Sequence, residues 1–121
     1  MRITRITTDA EGVSRFEEIE IALRDAGEIG RLSEPVDARS VIFRETEPDY
    51  DYDWHRAPQR QLIVLLDGAI EIEVGTGETR RFSGGDILLV EDTTGRGHRT
   101  RTTDGQRRRS LFIPLDESAE L

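Results

Sequence analysis

The sequence predicts an all-β domain. Short strand-like segments recur at roughly 8–12-residue intervals with Gly and Asp between them, and no stretch holds a helical period for long. Residues 17–23 alternate acidic and apolar side chains, with Ile19, Ile21 and Leu23 on one face. A helical period is conceivable over residues 16–29, but that alternation and the glycines at 27 and 30 argue against it. Residues 39–45 put Val41 and Phe43 on one face. Residues 61–66 carry the continuous run Leu62-Ile63-Val64-Leu65-Leu66, which predicts a strand buried on both sides. Asp67-Gly68 then reads as a two-residue hairpin turn with positive φ at both positions. The return strand points Ile70, Ile72 and Val74 inward and Glu71 and Glu73 outward. Further strands follow at Thr79 to Phe82 and Ile87 to Val90. Residues 98–103 and 107–113 form a last hairpin around Asp104-Gly105. Such a series is a barrel or a sandwich.

With 121 residues the chain is expected to fold as one domain over 1–121. Its core is expected over about residues 50–115, with strands from about 1–45 completing it or reaching a neighbouring subunit. The net charge of −8 argues against a nucleic-acid partner, whose binding rests on phosphate neutralisation. All 17 basic residues are arginine, and this acidic, lysine-free composition suits salt adaptation and high-GC coding equally well. No apolar run approaches the ~20 residues of a membrane span, and Met1-Arg2-Ile3-Thr4-Arg5 lacks a signal-peptide pattern. A cytoplasmic location without membrane contact is therefore the expectation. There is no cysteine, so any metal would be held by nitrogen and oxygen.

The two histidines sit in the most informative contexts. Around the first, the chain reads Trp54-His55-Arg56-Ala57-Pro58-Gln59-Arg60-Gln61, then runs on to Gly68. Around the second it reads Gly95-Arg96-Gly97-His98, preceded by Gly85-Asp86-Ile87-Leu88-Leu89. These spacings resemble the two motifs of the cupins, small jelly-roll β-barrels that deliver ligands from both motifs to one cavity. The resemblance covers residues 50–115 and departs at several places. Ala57 stands where the first motif has its second His, Gln61 where it has Glu, and Asp49 where it has its leading Gly. The Pro-x-Gly of the second motif is replaced, and the loop from Gly85 to His98 is two residues longer than the family pattern. The fold implied is an all-β, single-domain cupin jelly-roll β-barrel.

The resemblance implies that His55, Gln61 and His98 face one cavity and are the metal ligands available there. A zinc, nickel, iron or copper ion would be weakly held, because Gln61 supplies no charge. Asp53, Asp51 and Glu91 are candidates to complete the set. Thr100 and Thr102 follow His98 at strand spacing, and Arg56 and Arg96 lie in loops near the expected mouth, where they suit an acidic ligand. Arg60 is expected to point away from Gln61 and to pair with a surface carboxylate. Tyr50, Tyr52 and Trp54 alternate with Asp49, Asp51 and Asp53, so strand parity turns the aromatics away from His55. The acidic residues of 45–53 and the arginines of 96–109 form opposed blocks suited to pairing across strands or subunits.

The leading functional expectation is a small cupin that binds a small polar molecule in its cavity, with a weak or absent metal site. The alternative is a metal-dependent oxygenase or isomerase using His55, His98 and Gln61. A third candidate resembles the metal-independent sugar-nucleotide epimerases, with His55, Asp53 and Tyr50 or Tyr52. Whether the chain is an enzyme stays open, and a homodimer is expected because cupin barrels commonly pair sheets edge to edge.

Overall fold

The structure, a computed structural model, describes residues 1–121. Its strands are β1 (Arg2–Thr8), β2 (Ser14–Glu20), β3 (Arg24–Asp25), β4 (Arg31–Leu32), β5 (Ile42–Thr46) and β6 (Asp51–His55). They continue with β7 (Gln61–Leu65), β8 (Ala69–Glu73), β9 (Thr79–Ser83), β10 (Ile87–Val90), β11 (His98–Thr102) and β12 (Arg108–Pro114). A single 3-10 turn, Gly27–Ile29, is the only helical element. No helix is long and apolar enough to cross a membrane.

Two sheets pack as a sandwich. The larger has strand order β2-β1-β10-β7-β12-β5 and the smaller β6-β11-β8-β9, while β3 and β4 form a small ladder of their own. Apolar positions of period two explain the packing. Ile6, Leu65, Leu88 and Val90 on the larger sheet meet Ile70, Ile72, Val74 and Phe82 on the smaller. On the outer face of the larger sheet, Ile3, Leu89, Leu115 and Ala119 make a second cluster, with Ile19, Val36, Leu62 and Ile87 against it. The larger sheet is thus covered on both sides, which is why Leu62 to Leu66 reads as an unbroken apolar run.

Several local expectations are corrected. Asp67-Gly68 does not close a hairpin, because β7 and β8 belong to different sheets. Only Gly68 has positive φ, at 75°, and a Cβ there would lie 2.5 Å from the Arg108 Cβ. The Asp67 carboxylate instead accepts a 2.8 Å hydrogen bond from Arg109 Nε. The link through Asp104-Gly105 likewise crosses between sheets, from β11 to β12. A turn signal reports a local reversal, and a sandwich uses the same residues at a sheet-to-sheet corner.

On β5 the inward face is not that of Val41 and Phe43, which are 51% and 82% exposed; Arg44 and Thr46 point inward instead. β5 is an edge strand, so its apolar side chains need not face the core. The strand expected over 17–23 runs three residues earlier, with Ser14 and Phe16 buried. β1, unmarked by alternation, pairs in parallel with β10.

Opposed charges pair along the outer faces. Arg99 and Arg101 lie across from Glu73 and Glu71 in register, and Arg107 meets Glu45 and Glu47. Arg60 points outward, its Nε donating to Glu91 at 2.6 Å.

Candidate functional site

A cavity of about 390 Å³ lies between the two sheets. The smaller sheet contributes Tyr52, His55, Ile70, Ile72, His98 and Thr100, and the larger contributes Arg44, Thr46, Gln61, Ile63, Arg108 and Ser110. His55, Gln61, His98 and Thr100 therefore line one space. Arg56 and Arg96 do not: they flank an adjoining depression that shares His55, Ala57 and Pro58 with the cavity, where the Arg96 guanidinium stacks over Trp54 at 4.7 Å. The two arginines thus sit in loops beside His55, outside the cavity lining itself, and Arg96 is held there by the Trp54 ring.

The imidazoles face each other, with ring centroids 4.6 Å apart. His98 is buried, and its Nδ1–H donates to Asp92 Oδ2 at 2.6 Å. The Asp92 carboxylate is fully buried, and its Oδ1 has no partner. His55 Nδ1–H donates to the Asp53 carbonyl oxygen at 2.8 Å. With the Nδ1 proton held by an oxygen, the neutral form of each ring has its lone pair on Nε2. Burial pushes the His55 imidazole below its ordinary value; the Asp53 carbonyl and the Asp92 carboxylate oppose this, and the neighbouring His98 and Arg44 add to it. Gly97 has φ of 81° and packs so closely that a Cβ would collide with the His55 carbonyl oxygen. The glycine before His98 thus lets β11 press against β6.

Register explains the tyrosines. His98 pairs with His55, but Thr100 pairs with Tyr52, so β6 carries one residue more than β11 across this interval. A bulge of this kind reverses strand parity. Tyr52 consequently shares the inner face with His55, their rings meeting edge-on at 4.2 Å, while Tyr50 also lines the cavity. The expectation that both tyrosines turn away is overturned. Asp51 and Asp53 point to the outer face, beside Glu71, Glu73, Arg99 and Arg101, and Glu91 is held by Arg60 and Arg5. None of the three carboxylates reaches the histidines.

Asp92 was the residue that motif spacing missed. Leu88, Val90 and Asp92 are each 0–1% exposed, and period two along the end of β10 was the available signal. Arg44 and Arg108 were missed too, since nothing local separates them from the surface arginines.

The donor set fits a resident transition metal poorly. Two neutral imidazoles and the Gln61 amide carry no negative charge, and the nearest buried carboxylate is engaged by His98. No group of three His, Cys, Asp or Glu side chains converges anywhere in the chain.

No family model and no curated protein matches the chain. Among solved structures, the Cnp3 cupin domain of Schizosaccharomyces pombe superposes with a TM-score of 0.51 at 13% identity, over 95% of this chain and 84% of that one. Protein NMB1881 of Neisseria meningitidis gives 0.50 at 18% identity, over 68% of this chain and 81% of its own. A cupin domain of Bordetella pertussis gives 0.49 at 17%, over 68% and 90%. At such identities the likeness speaks for architecture alone. Two antiparallel-rich sheets with both histidines turned into the space between them, matched along nearly the whole chain by a cupin domain, give this protein the fold of the cupin superfamily.

Proposed function

We propose that this cupin domain binds a small polar molecule in the cavity between its sheets and holds no metal tightly. The observation that carries this reading is the buried His98–Asp92 pair beside His55, a polar cluster in a cavity whose lining is about half apolar. Both Nε2 lone pairs are left to accept hydrogen bonds from a ligand. The test combines elemental analysis with ligand-observed NMR against a library of small polar compounds, using Thr100→Phe to fill the cavity. Substoichiometric metal, and library hits abolished by Thr100→Phe, are the expected results. Stoichiometric metal lost in His98→Ala would instead favour the metal-dependent oxygenase or isomerase built on His55, His98 and Gln61.

A second reading, metal-independent proton transfer, gains support from Tyr52 at the edge of His55 and from the carboxylate behind His98. It differs from the epimerase-like expectation in its parts, with Asp92 rather than Asp53 supporting a histidine. Solvent-deuterium incorporation into carbonyl compounds that bind, lost in Asp92→Asn, would favour it over simple binding.

A homodimer through the free edge of β5 also belongs to this proposal. Val41, Ile42 and Phe43 are all about half exposed or more there, on an unpaired edge. Light scattering should give the mass of two chains for the wild type and of one for Phe43→Glu.

A further inference from the structure

The cavity is charged in the opposite sense to the chain that encloses it. The protein carries −8 overall, yet no Asp or Glu side chain lines this space. Two guanidiniums do, Arg44 and Arg108. Most outward arginines pair with a carboxylate across a strand, but neither of these two has one.

Arg108 is only 5% exposed, and its one side-chain hydrogen bond is donated by Nη1 to the neutral Thr102 hydroxyl at 2.7 Å. Its guanidinium carbon lies 4.9 Å from the centre of the Tyr50 ring, and that of Arg44 lies 5.5 Å from the same ring. Two like charges thus lie against one tyrosine ring. A buried arginine normally pairs with an anion, because desolvating its charge is expensive. Nearby, the Thr46 hydroxyl is buried and has no partner. Thr46 lies opposite Arg108 in the β5–β12 ladder, with Arg44 two residues along the same strand. These groups bring together two guanidiniums without a carboxylate and one buried hydroxyl without a partner.

Register separates this set from the histidines. His98 begins β11 and Thr102 ends it, a span of roughly 13 Å at the usual rise per residue. Ile63, Ile70 and Ile72 line the cavity along with both polar ends. The space therefore holds guanidiniums toward the Thr102 end of β11 and imidazoles toward its His98 end, with isoleucines, Tyr52 and Thr100 also in its lining.

We infer that the ligand is an organic anion with an apolar body, its carboxylate or phosphate group received by Arg108, Arg44 and the Thr46 hydroxyl. The inference rests on the reading that the cavity binds a small molecule. Arginine forks match either anion bidentately.

Calorimetric titration with three probes of one chain length tests it: hexanoate, hexyl phosphate and neutral 1-hexanol. Each is titrated into wild type, Arg108→Gln and Arg44→Gln, the last being a milder change at a half-buried position. Wild type is expected to bind at least one of the anions about tenfold or more tightly than 1-hexanol, as a charge-assisted contact implies. Both variants should lose that preference while keeping their affinity for 1-hexanol. The tighter of hexanoate and hexyl phosphate identifies the anionic group. Equal binding of all three probes, unchanged in both variants, overturns the anion and leaves the small-molecule cavity standing. Failure of every probe to bind overturns both.

Discussion

Asp92 and His98 show how much one buried pair decides. His98→Ala leaves a carboxylate at zero exposure without its donor, whereas removing both side chains leaves only a cavity. Urea unfolding should show a loss of about 3 kcal/mol for His98→Ala. The Asp92→Ala/His98→Ala double variant should lose less than the sum of its parts, by about 1–3 kcal/mol. Additive losses would mean that the hydrogen bond contributes little. His55 gives a pH signature. Its folded value lies below its unfolded one, so the unfolded chain takes up the proton first as pH falls. Its contribution is whole above the unfolded value of about 6.5 and is lost as pH falls toward the folded value. Unfolding free energy measured at successive pH values from neutrality downward should decline less in His55→Gln than in wild type; parallel curves would contradict the shift.

At the scale of the elements, legibility followed periodicity. Ile70, Ile72 and Val74 show plain alternation, and all three are buried where it places them. β1 hid because Ile3 and Ile6 serve opposite faces of a sheet covered on both sides, so no single-face pattern exists. The His55 and Gln61 positions were readable because spacing along the chain survives substitution of neighbouring ligands. The inward turn of Tyr52 was not, since one extra residue in β6 reverses parity and its cause is the pairing with β11. Asp67-Gly68 was legible as a reversal but not as a corner, a difference that only partner strands decide. The Gly97 contact supplies a prediction at this scale. Gly97→Ala adds a Cβ against the His55 carbonyl and strains a positive φ. It should destabilise the fold by more than about 2 kcal/mol and move the His55 and His98 ring resonances together. A neutral effect would mean that β6 and β11 part without cost.

For the whole molecule, the two sheets divide the charges by location. Cross-strand ion pairs occupy the outer faces, while Arg44 and Arg108, neither paired with a carboxylate, lie inside. The exterior pairs are solvent-exposed and contribute little each, so moderate salt should barely change stability. Their acidic excess has another effect. An anion approaching from solvent meets net repulsion before it meets the guanidiniums, and dissolved salt screens the long-range part first, over a Debye length of about 10 Å at 0.1 M. The association rate of hexanoate or hexyl phosphate, followed by exchange NMR, should therefore rise with ionic strength. That is the reverse of ordinary electrostatic steering, and a rate that fell with salt would mean that the arginines project their field past the rim. A surface that repels what the interior attracts makes entry slow and selective, so the protein would sort anions by their apolar bodies and by their patience at the entrance.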